Sequence, residues 1–480
     1  MELNIIAFDN EIKVWWQRGE GKAPCFITAY LNGEPIGKTE KTHFTYSGLE
    51  SNTNYTVKIE GVGEAVVKTQ KKKRRIDVTR PPYNAVGDGK TLNTEALERA
   101  FLDCGIDECV YFPAGVYMTG ALTGHSDMEI YLEKGAVLQG TAEVEDYLPK
   151  IKSRFEGVER ECYRSLLNFG ELDRNSGPNC KNVTVRGGGE IRGGGKELCW
   201  ATVEKERILL KDYLEQNADY IKTCENNDTV PGRARGRLLN LSNCDGVILS
   251  DISFGNGPAW NLHFIYSKNI VTCGCKIESH GIFNGDGWDP DSSENCVVFD
   301  TVFDTSDDCV AIKSGKNPEG NIVNKPTKNI YIFDCHIVDG HGISIGSEMS
   351  GGVENVYVWD CDMRKCWYGL QVKGTKKRGG YVRNIHVKDS KVSCLMVWSV
   401  LYNDDGEGAP HPPVFSDYHF ENLEITGRKY GEETRYIYLY GFDEDGYEVK
   451  NVYLKNITLE GIDKDNAISA KYTKDIFWAN

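Results

Sequence analysis

Residues 328–333 read KNIYIF, an asparagine followed by apolar side chains at every second position. The same pattern returns along the chain at Asn182-Val183, Asn269-Ile270, Asn295-Cys296, Asn355-Val356, Asn384-Ile385, Asn422-Leu423 and Asn451-Val452, with Gly246-Val247 in the equivalent place. From residue 246 onward the copies follow one another at intervals of roughly 23 to 38 residues, which is typical of solenoids. The apolar residues alternate with a period of two, which indicates strands and not helices. The sequence therefore predicts an all-β fold, a parallel β-helix with one coil per repeat.

Composition narrows the class of protein. The 480 residues include 51 Gly and only 15 Pro beside many short Val/Ile runs, which favours β structure with tight turns. A net charge of −15 argues against a nucleic-acid partner. The sequence has no apolar run of about 18 residues, so we expect no membrane-spanning helix. Because MELNIIAFDN (1–10) lacks the pattern of a secretory signal, the sixteen Cys predict reduced thiols and a cytoplasmic location, unless a leader was removed.

Two segments depart from the repeat. Residues 1–72 alternate like a small antiparallel β-sandwich, and LESNTNYTV (49–57) resembles the tyrosine-corner segment of fibronectin type III domains. The β-helix is then expected over residues 77–480. Within it, residues 196–232 are charged and helical in pattern, which predicts an insertion between two coils. Because loops on a rigid scaffold often shape a site, this insertion is expected to close one end of a cleft.

Four polar blocks fall about one coil apart: NGDGWD (284–289), SDDCVAIKSG (306–315), GHGISIGSE (340–348) and GLQVKG (369–374). Equivalent residues of adjacent coils stack about 4.8 Å apart, so the blocks are expected to meet on one face. The side chains that this stacking would gather are Asp286, Asp307, Asp308, His341 and Lys373. Crowded carboxylates push their pKa values apart, so one can donate a proton while another stays ionised. Glycoside hydrolysis uses such a pair.

Each of these residues also has a simpler interpretation. The acidic pair can ligate Ca²⁺, the histidine can occupy a turn between glycines, and the lysine can be a solvated edge charge. Asp289 and Asp291 are expected to cap a turn. The shared register of four blocks favours a site, but the spacing of the acids does not by itself decide between retention and inversion.

In this order the four blocks resemble the polygalacturonases of glycoside hydrolase family 28, as do YNAVGDGKTLNTEAL (83–97) and FPAGVYMTGAL (112–122). The resemblance covers roughly residues 77–470 and implies a right-handed parallel β-helix that hydrolyses glycosides with inversion, without metal or cofactor. It implies Asp307 as the general acid, with His341 in support. Asp286 and Asp308 would activate the water. The substrate-binding residues that the resemblance implies are Asn284, Arg235, Arg237, Lys313, Gln371, Lys373 and Tyr402.

Two positions depart from the family pattern. The family usually has Asn-Thr-Asp where this chain has Asn284-Gly285-Asp286, a change that keeps both polar groups. It usually has Arg-X-Lys where this chain has Gln371-Val372-Lys373, and glutamine makes only neutral hydrogen bonds where arginine makes charge-assisted ones. A neutral, modified or differently linked sugar at that subsite therefore stays open. If a carboxylate contact was lost, Gln371→Arg is expected to raise activity on galacturonides.

The sequence thus predicts an exo-acting hydrolase that removes terminal galacturonate, or a related sugar, from pectic oligosaccharides. A glycosidase specific for rhamnogalacturonan or another pectic side structure is the first alternative. A Ca²⁺-dependent eliminase like the pectate lyases and a non-catalytic carbohydrate-binding solenoid are alternatives of other classes. The oligomeric state stays open.

Overall fold

The computed structural model describes residues 3–19, 25–223, 233–402 and 406–479. The chain divides into two compact units, Met1–Arg75 with Asp107–Cys109, and Ile76–Ile106 with Val110–Asn480. Over the described ranges, no helix has both the length and the apolar character needed to span a bilayer.

The first unit contains antiparallel sheets. One has the strands Asn4–Ala7, Glu11–Trp15 and His43–Ser47, and the other has Glu34–Thr39, Ile27–Leu31, Asn54–Ile59 and Gly63–Lys68. Trp16 is 2% exposed and packs in the core of this unit. The Tyr55 hydroxyl accepts a hydrogen bond from the backbone N–H of Glu50 at 2.9 Å. A bond from a tyrosine hydroxyl to upstream backbone is the contact that defines a tyrosine corner.

The second unit is a right-handed parallel β-helix, which confirms the fold predicted from the repeats. Its strands pair in parallel with the strands of the next coil. The strands of what we call the long sheet are Arg74–Asp77, Asp88–Leu92, Glu108–Phe112, Gly115–Thr119, Glu129–Leu132, Ala136–Gly140, Cys180–Gly187, Glu190–Arg192, Cys244–Ser250, Ser253–Gly255, Lys268–Cys273, Lys276–Glu278, Glu294–Asp304, Thr327–Asp339, Val353–Trp359, Asp362–Met363, Tyr381–Val392, Val414–Ile425, Val449–Leu459 and Thr473–Ala479.

A second parallel sheet of the β-helix, which we call the cleft sheet, carries the four polar blocks in their order along the chain. Its strands are Leu122–Gly124, Leu167–Phe169, Leu239–Ser242, Leu262–Ile265, Trp288–Asp291, Val310–Ile312, Ile343–Ile345, Leu370–Gly374, Leu395–Ser399, Ile437–Tyr440 and Ile468–Lys471. Strands of consecutive coils are neighbours in this sheet, so the polar blocks beside them are brought together.

The asparagine that opens each repeat has a structural role. Asn295, Asn329 and Asn355 have φ angles of 55°, 57° and 60°, in the left-handed region that asparagine tolerates better than most residues. The side-chain amide of Asn329 donates to Asn295 Oδ1 at 3.0 Å, and that of Asn355 donates to Asn329 Oδ1 at 3.0 Å. An asparagine ladder therefore runs from coil to coil, which explains why the same residue returns in each repeat.

The alternating apolar residues fill the interior of the β-helix. Ile330 is in register with Cys296 on one side and Val356 on the other, and all three are 0% exposed. Cys335 and Cys361 are also buried and free, so these thiols serve as small core side chains.

The predicted insertion begins as helices, Gly195–Leu209, Lys211–Gln216 and Ala218–Thr223, and its remainder, 224–232, lies outside the described residues. The first of these helices buries Leu198, Cys199 and Val203. The other helices are Thr94–Leu102, Glu319–Val323, Lys464–Ala467 and a 3-10 turn, Val144–Tyr147. Two antiparallel hairpins project from the coils, Ile151–Phe155 with Val158–Cys162, and Arg428–Tyr430 with Glu433–Arg435.

Candidate active site

A cavity of about 270 Å³ lies beside the cleft sheet. Most of the site residues predicted from sequence line it: Asn284, Asp286, Asp307, Asp308, Lys313, His341, Lys373 and Tyr402. Several other lining residues were not singled out from sequence: Glu156, Arg233, Trp260, Lys316, Glu348 and Tyr368. The structure therefore gathers carboxylates, cations and aromatic rings in one place.

Backbone hydrogen bonds between coils position the acids. Asp307 and Asp308 lie in the turn just before the strand Val310–Ile312. The carbonyl of Asp308 accepts from the N–H of Gly287, and the carbonyl of Asp307 accepts from the N–H of His341, each at 2.9 Å. Because both acids precede the strand, they are free of its alternation, and both line the cavity.

Asp308 is held by a cation and a hydroxyl. Lys373 Nζ lies 3.1 Å from Asp308 Oδ2, and Ser344 Oγ donates to Asp308 Oδ1 at 2.5 Å. Burial alone would raise the pKa of Asp308, but the charges of Lys373 and His341 outweigh it and hold that pKa well below its usual range. Asp308 is therefore the carboxyl group of the pair that its surroundings hold in the ionised form.

Asp286 has the opposite environment. It is 3% exposed, and among the described residues its Oδ1 has no hydrogen-bond partner. Burial raises the pKa of Asp286 well above its usual range, with the charges of Asp307 and Asp308 acting in the same sense and that of Lys313 acting against them. Lys313 Nζ is 3.3 Å from Asp286 Oδ2. The site thus contains one carboxyl group that stays ionised and one that binds a proton readily.

His341 bridges the acidic pair. Its Nδ1 lies 3.0 Å from Asp307 Oδ1 and 3.6 Å from Asp308 Oδ1. Burial acts to lower the pKa of His341, but the two carboxylates overcome it and raise that pKa to about 10. At neutral pH the imidazole is therefore protonated and shares its proton with Asp307, which stands at the more open side of the pair with a 26% exposed side chain.

Similarity to known proteins shows the family of this chain. The family model described as Glycosyl hydrolases family 28 matches residues 155–474. The chain belongs to glycosyl hydrolase family 28. It is 28% identical over 373 residues to the exo-poly-alpha-D-galacturonosidase of Dickeya chrysanthemi, a match over 72% of this chain and 61% of that protein. The chain thus spans about three-fifths of the length of that curated relative.

Two solved structures resemble this family 28 chain over most of their length. An exopolygalacturonase from Thermotoga maritima superposes with a TM-score of 0.69 at 27% identity, over 85% of this chain and 92% of that one. The family 28 exopolygalacturonase of Yersinia enterocolitica gives a TM-score of 0.78 at 20% identity, over 99% and 98% of the two chains, which is a likeness of fold.

Three residues predicted to bind substrate lie behind the cavity wall of the family 28 chain. Gln371 is 0% exposed, as is Arg235, while Arg237 is 1% exposed. Arg235 donates to the carbonyl of Phe283 at 3.0 Å and to Asn284 Oδ1 at 2.9 Å, so it orients the turn that carries Asn284. The prediction that these three side chains contact the sugar does not agree with their burial.

Because Gln371 is buried, it does not replace a sugar-binding arginine with a neutral contact to the sugar. Its amide nitrogen donates to Ser344 Oγ at 2.8 Å and lies 3.5 Å from Asp308 Oδ1. A rise in galacturonide activity on Gln371→Arg therefore does not follow from this geometry, because the new side chain would be buried against Asp308 and not presented to the sugar.

Asp289 and Asp291 do not cap a turn, contrary to the prediction. Both lie within the strand Trp288–Asp291 and are 0% exposed. Asp291 pairs with Arg154 at 2.7 Å and with His263 at 3.2 Å. These contacts form a buried network that joins the cleft strand Trp288–Asp291 to the hairpin strand that carries Arg154.

The atoms that would bind Ca²⁺ at the acidic pair show whether such a site fits this chain. Ligand atoms of Asp307, Asp308 and His341 lie within 4.8 Å of one another. Ca²⁺ takes about six to eight oxygen ligands, whereas this group offers two carboxylates and an imidazole nitrogen. The Lys373 ammonium already occupies one oxygen of Asp308. The donor set of this family 28 chain therefore suits proton sharing and not cation binding.

Proposed function

We propose that this family 28 protein is an exo-acting, inverting glycoside hydrolase that removes terminal galacturonate, or a related sugar, from pectic oligosaccharides without a metal. The observation that carries the proposal is the cavity in which Asp286, Asp307 and Asp308 converge with His341. Environments that push the pKa values of neighbouring carboxyl groups apart are those that divide acid and base roles. Exopolygalacturonases among the similar proteins support the choice of substrate.

The acid is the Asp307–His341 pair. When the bond between the anomeric carbon and the leaving oxygen breaks, that oxygen needs a proton. Asp307 supplies it, since its carboxyl group shares a proton with His341 across 3.0 Å and is the more accessible member of the acidic pair. The lining Lys373 is placed to attract the carboxylate of a uronate sugar while it keeps Asp308 charged.

The base is Asp286. The raised pKa of Asp286 makes its carboxylate a better proton acceptor than that of Asp308, whose pKa is lowered. Asp308, held well below its usual pKa, is a poor base and acts as a fixed anion that orients the water and keeps His341 protonated. The attacking water gives its hydroxyl to the anomeric carbon and its proton to Asp286, so one proton enters and one leaves.

The hairpin formed by Ile151–Phe155 and Val158–Cys162 supports exo action. Its tip carries Glu156, which lines the cavity and forms an ion pair with Arg233 at 2.8 Å. The tip is fastened where the Lys316 N–H donates to the Gly157 carbonyl at 2.9 Å. A cavity of about 270 Å³ lies just below the usual volume of ligand sites, about 300–1,000 Å³. Such a site accepts a chain end in preference to the middle of a polymer.

Product analysis on di- to pentagalacturonides tests the proposal. We expect monosaccharide from the first time points with every oligomer, because only the terminal sugar reaches the acid. Early release of large fragments from polygalacturonan would contradict exo action. If no pectic oligomer, including those from rhamnogalacturonan, yields a monosaccharide, the enzyme class itself is excluded.

The anomer released first, followed by proton NMR, tests inversion in the same reaction. An α-linked substrate is expected to give the β-anomer before mutarotation, because water and the acid act from opposite sides. First appearance of the α-anomer would indicate retention.

The alkaline limb of the pH profile tests the acid. We expect kcat/KM to stay level through neutral pH and to fall only as pH rises towards about 10, because His341 holds its proton up to that pKa. An unperturbed histidine would lose the proton near pH ~6.5 instead. The rate is measured across this range with circular dichroism as a check on folding. His341→Gln is the control, since it must lack the histidine limb.

Two finer assignments accompany this proposal. The hydrogen bond from the Glu50 N–H to the Tyr55 hydroxyl supports a fibronectin type III-like identity for the first unit. A cytoplasmic location stays a prediction from the sequence.

A further inference from the structure

We propose that Ser344 and Gln371 are positioning residues that hold the Asp308 carboxylate through a two-step hydrogen-bond relay. The inference rests on the proposed function, because it assigns a role to Asp308 in that reaction. It concerns two side chains that touch no substrate, since both are 0% exposed.

The β-helix register places the two residues side by side. Ser344 lies in the strand Ile343–Ile345 and Gln371 in Leu370–Gly374, and the two are direct partners in the cleft sheet. Ser344 is in turn paired with Ala311 of the preceding coil. Asp308 lies three positions before this alanine in the sequence, where its carboxylate meets the serine hydroxyl.

The chemistry of the groups fixes the direction of the relay. The side-chain nitrogen of Gln371 can only donate, so Ser344 Oγ accepts from it at 2.8 Å. The serine hydroxyl then directs its own proton to Asp308 Oδ1 at 2.5 Å. With Lys373 at 3.1 Å from Oδ2, each oxygen of Asp308 has a separate partner. The carboxylate is therefore fixed against rotation as well as kept ionised.

This relay gives a role to the glutamine that stands where the family pattern has arginine. Lys373 supplies the cation that pairs with Asp308, and Gln371 supplies a neutral donor to Ser344. A neutral amide orients the serine hydroxyl without adding charge. The position therefore serves the geometry of Asp308 and not the recognition of the sugar.

The relay makes a kinetic prediction that a merely structural pair does not. A group that positions an anion for the reaction affects kcat, whereas loss of general packing lowers stability and leaves the turnover of folded enzyme intact. Ser344 makes the short contact to Asp308 Oδ1, whereas Gln371 reaches that oxygen directly only at 3.5 Å, so removing both is expected to cost little more than removing Ser344 alone.

The experiment measures kcat, KM and thermal stability for wild type, Ser344→Ala, Gln371→Met and the double variant. We expect Ser344→Ala to lower kcat by about 10- to 100-fold with KM changed by less than about threefold, and Gln371→Met to have a smaller effect in the same sense. The double variant should lie within about twofold of Ser344→Ala. The control is Ser416→Ala, which removes a hydroxyl donor to the Asp417 carboxylate at 2.7 Å elsewhere in the β-helix.

An unchanged kcat in Ser344→Ala, an additive double variant, or an equal loss in the control would overturn the relay. Crystal structures of wild type and Ser344→Ala provide a second test that needs no activity. We expect the Asp308 carboxylate to rotate when the serine hydroxyl is removed, and an unmoved carboxylate counts against the relay. If the wild type releases no sugar but Asp308 still rotates, the proposed function fails and the positioning role stands.

Discussion

Asp307→Asn is expected to lower kcat on oligogalacturonides by about 10²- to 10⁴-fold, the range that loss of a general acid typically costs. An amide keeps the shape of the side chain but has no acidic proton to give to the leaving oxygen. Nδ1 of His341 would still lie near the residue that replaces its 3.0 Å partner, so binding of the sugar should be largely kept. Steady-state kinetics on trigalacturonide measures the loss.

The leaving group separates an acid from other roles of Asp307. With an aryl galacturonide such as the 4-nitrophenyl compound, the leaving group is 4-nitrophenolate, a stable anion that needs no proton. The loss in Asp307→Asn should therefore shrink by at least about tenfold with this substrate. An equal loss on both substrates would mean that Asp307 acts in some way other than proton donation.

The chain offers a close control for this variant. Asp304 also stands beside a histidine, His280 at 3.8 Å, and its side chain is 27% exposed against 26% for Asp307. Asp304 is not part of the described lining of the cavity. Asp304→Asn is therefore expected to keep activity within about twofold of wild type. Surface substitutions usually change the free energy of unfolding only slightly, so the variant should fold normally. A comparable fall in both variants would point to folding and not to chemistry.

The fold could be predicted because every coil of the β-helix meets the same physical requirement. A left-handed turn residue and an alternating apolar run are needed at each repeat, as at Asn329 and Ile330, so the signal accumulates along the chain. Boundaries within the insertion could not be predicted in this way, since its helices have no repeat partner.

The centre of the site could be predicted for the same reason. Asp286, Asp308 and His341 precede cleft-sheet strands of three successive coils, and Lys373 lies in the strand of the next coil, so the register that builds the fold also gathers the charges. Glu156 and Arg233 could not be found from register because they come from a hairpin tip and from the chain after the insertion, where no repeat sets their position. A cavity-lining role for such residues becomes visible only when loops are placed in space.

The sequence did not reveal that the side chains of Arg235 and Arg237 are buried. Arg235 and Arg237 look like a basic patch in RARGR, yet neither charge faces the cavity. The Arg237 guanidinium lies 4.6 Å from the Phe155 ring and 4.7 Å from the Trp260 ring, contacts that join residues far apart in the chain. An arginine bound to a sugar and one buried between aromatic rings have the same letter in the sequence, so only the fold distinguishes them.

Asp286→Asn is expected to lower kcat/KM by about 10²- to 10⁴-fold and to remove the acid limb of the pH profile. In wild type the base must be ionised, so activity is lost as pH falls through the pKa of Asp286. Because that pKa is raised, the limb should lie above the ordinary aspartate value of about 3.9. The profile of kcat/KM against pH, measured for both proteins on the same oligogalacturonide, shows whether the limb belongs to this residue.

Asp289 decides whether the limb belongs to Asp286 or to any buried acid nearby. Its pKa is also raised well above the usual range, chiefly by burial and then by the charge of Asp286, but it is 0% exposed and is not one of the described residues lining the cavity. Asp289→Asn should therefore keep the acid limb and most of the activity. Only the group that must be ionised for attack controls the acid limb of the pH profile. If that limb disappears in Asp289→Asn and persists in Asp286→Asn, the base has been assigned to the wrong carboxylate.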